Sequence, residues 1–403
     1  MSAGGLSEAR LRRMGDVMAG HVERGVPGLV WLVSRRGEVR AEALGSATLA
    51  SAEHDAVPMR RDTIFRFASL IKPVTAAAAM ILVEECRLRL DDPVDPWLPE
   101  LADRRVLTRI DADLGDTVPA RRPITTRDLL TFTMGFGSVM AAPGTYPIQV
   151  AMREGQIGGD GPPRPAESPP ADEWIRRLGA LPLMCQPGES WRYNTGSDVL
   201  GILIARVSGQ SFDAFLRERL FDPLGMRDSG FSVPPEKIDR LATSYADFGS
   251  GIEVWDEPAG GGYSSPPAFA SGAGGLVSTA DDYLAFCRML LDRGSYGGER
   301  ILSRPAVELM TSDQLTPEQR IGAEPFFGGN SSWGFGMAVN IRRDDLSVVP
   351  GRFGWTGGLG TTACTDPAEE LIGLLLTQQM MTSPTSPPVF QDFWTTAYAA
   401  IDD

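Results

Sequence analysis

The chain contains only two lysines, and one of them, Lys72, follows a serine by three residues. In Ser69-Leu70-Ile71-Lys72 the serine and the lysine share a helix face, so the amine can reach the hydroxyl. A strand-like run ends at Phe67, and a helical pattern begins where Ser69 sits. A helix start offers free backbone N–H groups and the positive end of the dipole. Desolvation lowers the pKa of a lysine and lets its amine act as the base for a serine nucleophile. Pro73 is tolerated in the first turn because its N–H would be unpaired there anyway. Read alone, the pair also fits a capping serine and a surface lysine.

Two further segments have types and spacing suited to chemistry. Pro187-Gly188-Glu-Ser-Trp-Arg-Tyr193-Asn194-Thr195 places a tyrosine after a turn and just before a helix. A tyrosine near an amine can exist partly as phenolate and act as general base. Gly354-Trp355-Thr356-Gly357-Gly358-Leu359-Gly360 lies on a C-terminal strand, where glycines let backbone approach a ligand closely. Taken singly, Tyr193 also fits a core tyrosine, and the glycines also fit a hairpin turn.

Other chemistries lack their residues. The two histidines, His21 and His54, both lie near the N-terminus, and no GxSxG elbow occurs, which disfavours a Ser-His-Asp hydrolase. No HExxH occurs, so no metal site is expected. Neither Lys72 nor Lys237 follows a glycine, which excludes a Walker phosphate loop, and no GxGxxG follows a strand-like run. Cys86, Cys185, Cys287 and Cys364 form no CxxC pair and read as small buried hydrophobes in a reducing compartment. The net charge of -14, with no basic patch, argues against nucleic acid as a partner. At 403 residues, 42% hydrophobic and 22% charged, the chain is long enough for one large soluble domain or two packed ones.

The elements that must position these residues follow from periodicity. Residues 6–20 are predicted helical, and 28–34 with 38–44 form a hairpin around Arg36-Gly37. An apolar helix runs from Ser69 until Asp91-Asp92-Pro93. Thr125-x-x-Asp128 resembles a capping box. Residues 155–170, rich in Gly and Pro, form a loop or lid. Helices are expected at 171–179, 197–208 and 211–220, and Ser278-x-x-Asp281 caps another that ends at Leu291. Strands follow at 333–341, 351–355, 361–365 and 371–378, then a helix at 389–400. The expected fold is α/β (α+β): an antiparallel sheet flanked by helices, closed by both chain ends, with an inserted mainly helical lobe. The sheet domain takes 1–75 and 250–403, and the lobe takes 76–249.

In this order, the three motifs resemble the serine β-lactamase and penicillin-recognising superfamily, above all its class C-like branch with the family VIII carboxylesterases. Phe65-Arg-Phe-Ala-Ser-Leu-Ile-Lys-Pro73 is similar to the nucleophile segment of that family. Thr125-Thr-Arg-Asp-Leu-Leu-Thr131 and Gly272-Ala-Gly-Gly-Leu-Val-Ser-Thr-Ala-Asp-Asp282 resemble two of its other segments. Tyr193-Asn-Thr195 stands where the family has Tyr-x-Asn or Tyr-x-Ser, and Trp355-Thr-Gly357 where lactamases have Lys-Thr-Gly or His-Thr-Gly. The resemblance spans roughly residues 20–380 and implies a β-lactamase-like fold.

It also implies roles. Ser69 is the nucleophile, Lys72 and Tyr193 form the base system, and the backbone N–H groups of Ser69 and Gly358 form the oxyanion hole. Trp355, Thr356, Gly357, Thr195 and Phe136 contact substrate. Tyr245, Trp255 and Phe269 are further lining candidates, each equally suited to a surface loop. Two positions depart from the pattern. Thr195 replaces an amide, and Trp355 replaces a cation with an apolar wall, which favours a neutral ester or amide. Arg352 falls on the opposite strand face. The expected activity is a cofactor-free serine carboxylesterase, with a β-lactamase, a D-aminopeptidase or D-Ala carboxypeptidase, or an acyltransferase of the same fold as alternatives, and a non-catalytic scaffold as the other class. The N-terminus lacks an apolar signal segment and no run of 18 apolar residues occurs, so no membrane partner and a cytoplasmic location are expected.

Overall fold

The computed structural model describes residues 4–52, 55–158 and 164–403. His54 and the Gly161–Pro163 part of the expected lid lie outside them. An eight-stranded antiparallel sheet is built from the two ends of the chain. Its order is Ser331–Trp333, Ala338–Asn340, Phe353–Gly357, Thr361–Asp366, Leu371–Thr377, Gly28–Arg35, Glu38–Thr48 and Val57–Pro58. Gly28–Arg35 pairs with Leu371–Thr377 and so joins the two ends of the chain, from Leu29 opposite Thr377 to Arg35 opposite Leu371. The hairpin turn at Arg36-Gly37 takes positive φ at both residues, 48° and 83°, the twist that matches two flanking strands.

Strand Gly28–Arg35 is buried on both faces, and its period-2 alternation serves two cores. Val30 and Leu32 join the main core, beside the long helices. Leu29, Trp31 and Val33 pack under the terminal helices Glu8–Glu23 and Pro388–Ala399. The buried Arg35 fastens both chain ends. Its guanidinium donates to the carbonyls of Gly4, Gly5 and Glu369, and it pairs with Asp403 at 2.8 Å.

Between the two sets of sheet strands, residues 71–224 are mainly helical. Helix Ile71–Glu84 is buried on every side over Ile71–Leu82 and packs on helix Thr195–Ser208. It ends at Glu84, well before the expected stop at Asp91-Asp92-Pro93. The apolar run gives way to Glu84-Glu85, and Cys86 turns the chain with φ 58°. The capping box at Thr125 and Asp128 forms as read. Two sequence expectations are corrected. The cap of helix Ala280–Leu291 is Thr279, whose side chain accepts from the Asp282 N–H, because Ser278 is the last residue of a strand. The run 333–341 is two strands, since the chain turns back through Gly334-Phe335-Gly336.

Among the described residues, no single helix is long and apolar enough to cross a membrane.

Candidate active site

Ser69 stands at the junction of strand Phe65–Ala68 and helix Ile71–Glu84, two residues before the first helical turn. The strand pairs with Leu276–Ser278 through a bulge between Arg66 and Ala68, and Ala68 takes φ 45°. A non-glycine residue there is strained, and strain of this kind clusters where a side chain must be aimed. Ala68 is fully buried, whereas Ser69 remains partly exposed. The Phe67 carbonyl fixes the bend. It accepts from the Leu70 N–H at 3.1 Å and from Thr361 Oγ1 at 3.1 Å. Gly357 allows this closeness, since a Cβ there would sit 2.2 Å from that same carbonyl oxygen.

The side chain of Lys72 is wholly buried. Its Nζ lies 2.8 Å from Ser69 Oγ and donates to the Ala273 carbonyl at 2.5 Å. Burial pushes its pKa down to about 7, and the charge of Asp198 opposes that fall. Asp198 is a member the sequence motifs did not reveal. It sits in the first turn of helix Thr195–Ser208 and accepts from Ser271 Oγ at 2.6 Å and from the Ala273 N–H at 3.2 Å. Burial pushes its carboxyl up to about 6, while Ser271 and Lys72 pull the other way. An acidic residue at a helix N-terminus was the available signal, but such residues are common at solvated helix starts.

Tyr193 enters from the mainly helical segment between the two sets of sheet strands. Asn194 takes φ 83° and ψ -66°, and the Thr195 N–H donates back to the Tyr193 carbonyl at 3.2 Å, a strained γ-turn just before the helix. The turn holds Tyr193 Oη 2.8 Å from Ser69 Oγ, with Lys72 Nζ 4.6 Å from its ring centre. Burial pushes the phenol up to about 12, opposed by its hydrogen bonds with Ser69 and Trp355. The Trp355 indole N–H donates to Tyr193 Oη at 2.8 Å. The expected apolar wall is thus corrected, because the residue presents a polar edge to the phenol. Phe326, also unmarked in the sequence, stacks beside Tyr193 at 4.8 Å between ring centres. A pocket of about 200 Å³ opens there, its lining including Ser138, Tyr146, Trp191, Arg192, Tyr193 and Phe326. A larger groove of about 550 Å³ lies along the N-terminal helix, lined by Arg12, Arg13, Asp16 and Glu42, and holds no nucleophile.

The structure separates the other expected residues. Gly358 faces open space at its Cα and follows Gly357, whose Cα lies close to the Phe67 carbonyl. Thr356 is half-buried, 3.4 Å from Thr362 Oγ1 through its own hydroxyl. Thr195 is buried in the first helical turn. Phe136 is wholly buried in the main core, so it cannot line an open pocket. Tyr245 is also buried, and its hydroxyl accepts from the Leu49 N–H at 2.7 Å. Phe269 packs on Trp174 at 5.2 Å within the core. Trp255 lies on strand Ile252–Asp256 and packs against a small cluster made of Ala68, Ala246, Leu359 and Met380. Arg352 lies 4.0 Å over the Trp394 ring, on the opposite side of its strand from Trp355.

His21 binds Asp392 at 2.8 Å between the terminal helices, on the far face of the sheet from the long helices. Among the described residues, no three His, Cys, Asp or Glu are grouped to hold a metal.

The family model described as Beta-lactamase matches residues 11–388. The chain belongs to the beta-lactamase family. It is an enzyme of the serine esterase or hydrolase class. An uncharacterized protein of Mycobacterium tuberculosis is 40% identical over 333 residues, 80% of this chain and 79% of its own length. Esterase EstB of Burkholderia gladioli is 33% identical over 382 residues, 88% of this chain and 86% of its own. Among solved structures, EstCE1, a hydrolase with promiscuous acyltransferase activity, superposes with a TM-score of 0.78 at 27% identity, covering 97% of this chain and 99% of its own. Simvastatin synthase LovD from Aspergillus terreus gives 0.78 at 26%, covering 98% of each.

Proposed function

We propose that the protein hydrolyses carboxylic esters through a covalent acyl-enzyme on Ser69. The observation that carries this reading is one oxygen with two partners. Ser69 Oγ is partly exposed and lies 2.8 Å from both Lys72 Nζ and Tyr193 Oη, so a proton can leave as the oxygen attacks. Burial lowers the Lys72 pKa to about 7, so a neutral amine that can take that proton is accessible near neutral pH. The backbone N–H groups of Ser69 and Gly358 receive the oxyanion, and each such donor lowers the barrier by about 3–4 kcal/mol. Water then releases the acid. An alcohol in place of water makes the enzyme an acyltransferase, a second reading favoured by the likeness to EstCE1 and LovD.

The pocket beside Tyr193, lined by aromatic and aliphatic side chains together with Ser138 and Arg192, suits an acyl or alcohol group with both apolar and polar atoms. No cation stands at position 355 for a substrate carboxylate, which supports neutral esters over penicillins and D-alanyl peptides. Four free cysteines support a reducing, cytoplasmic setting. The test is intact mass after a fluorophosphonate, with kcat/KM for p-nitrophenyl butyrate and nitrocefin. One adduct on wild type and none on a folded Ser69→Ala is expected, with butyrate favoured. An adduct persisting at another serine, or preference for nitrocefin, overturns the reading.

A further inference from the structure

Four hydrogen-bonded groups run in a line through the site. Trp355 Nε1, Tyr193 Oη, Ser69 Oγ and Lys72 Nζ are each 2.8 Å from the next, and Nζ ends 2.5 Å from the Ala273 carbonyl. The two ends cannot reverse. An indole nitrogen only donates, and a carbonyl oxygen only accepts. The hydroxyls between them carry one proton each. Tyr193 Oη already accepts from Trp355, and among the described residues its own proton has one acceptor, Ser69 Oγ. When Lys72 is neutral, the Ser69 proton can point at the amine lone pair while an amine hydrogen points at Ala273. A line of the opposite sense would strand the phenolic proton.

We propose that Trp355 is a positioning residue that fixes the direction of proton flow, making Lys72 the acceptor of the Ser69 proton and Tyr193 the donor to the leaving alcohol. The proposal rests on the ester-hydrolase reading. As Ser69 Oγ bonds to the acyl carbon, its proton passes to the Lys72 lone pair and the carbonyl π pair moves onto oxygen. When that pair returns, the bond from carbon to the alcohol oxygen breaks. The departing alkoxide takes the Tyr193 proton, and the phenolate left behind keeps the Trp355 hydrogen bond. One proton passing from the Lys72 ammonium to the phenolate restores both groups.

The indole is held for this task. Trp333 meets it edge-on at 4.7 Å with an interplanar angle of 89°, and Phe326 stacks at 6.4 Å. A cation at position 355 would favour the phenolate by charge. A neutral donor orients the phenol and leaves its proton in place until the alkoxide needs it.

The experiment compares p-nitrophenyl butyrate, whose phenolate leaves unaided, with ethyl butyrate, whose alkoxide must be protonated. Tyr193→Phe should lose about a hundredfold more kcat/KM on the ethyl ester than on the nitrophenyl ester. Trp355→Phe keeps a ring and deletes the N–H, and should lose about tenfold more on the ethyl ester. A residue that only packs would lower both esters alike. Equal losses in Trp355→Phe, or no ester discrimination in Tyr193→Phe, refute the proposal. The second variant suffices if the first fails to fold. If wild-type protein turns over neither ester and gives no adduct at Ser69, the hydrolase reading itself fails and this proposal with it.

Discussion

Replacing Asp198 by Asn removes a charge while keeping a side-chain oxygen that can accept from Ser271 and the Ala273 N–H. Lys72 and Asp198 are bridged by one residue, Ala273, whose carbonyl accepts from the amine and whose N–H donates to the carboxylate. That places the two charges on the order of 7 Å apart. At an effective dielectric of about 20, such a pair interacts by about 2.4 kcal/mol. This is close to two pK units, and the sign is fixed: losing the carboxylate destabilises the ammonium, so the Lys72 pKa falls. The assay is kcat/KM for p-nitrophenyl butyrate between pH 4.5 and 9. Wild-type activity should rise with pH through an inflection near 7, as Lys72 loses its proton. In Asp198→Asn the inflection should move about 1.5–2 units lower. The plateau should also drop by up to about tenfold, because a less basic amine is a weaker proton acceptor. A folded Asp198→Asn enzyme whose inflection stays at the wild-type pH, or moves upward, refutes the coupling and with it Lys72 as the titrating base.

Two predictions concern the molecule outside the proton line. With no cluster of metal-binding side chains among the described residues, EDTA should leave esterase rates unchanged, and a loss restored by added zinc would overturn the serine mechanism. Arg35→Ala strips buried donors from the carbonyls of Gly4, Gly5 and Glu369 and should cost about 3 kcal/mol, read as a lower Tm in a thermal melt; an unchanged Tm would show that the chain ends hold without it.

Local pattern was enough for much of the architecture. The hairpin around Arg36-Gly37, the buried helix after Ser69, the capping box at Thr125 and the C-terminal strands all follow from periodicity and turn chemistry acting over a few residues. Ser69, Lys72 and Tyr193 were also legible, as a spacing and a turn. Their meeting was implied by the family resemblance but not by periodicity or spacing, since 124 residues separate Tyr193 from Ser69 and only tertiary packing closes that gap. The same limit hid Asp198, whose role depends on the Ala273 peptide reaching it from another segment. It also hid the face of Trp355 that matters. Strand alternation gave the side on which the indole lies, but the direction of its N–H is set by Phe326 and Trp333 from one stretch and Tyr193 from another. Phe136, Tyr245 and Phe269 show the converse: aromatic residues in loop-like sequence became core, because burial is decided by what packs over a side chain and a sequence carries no record of that.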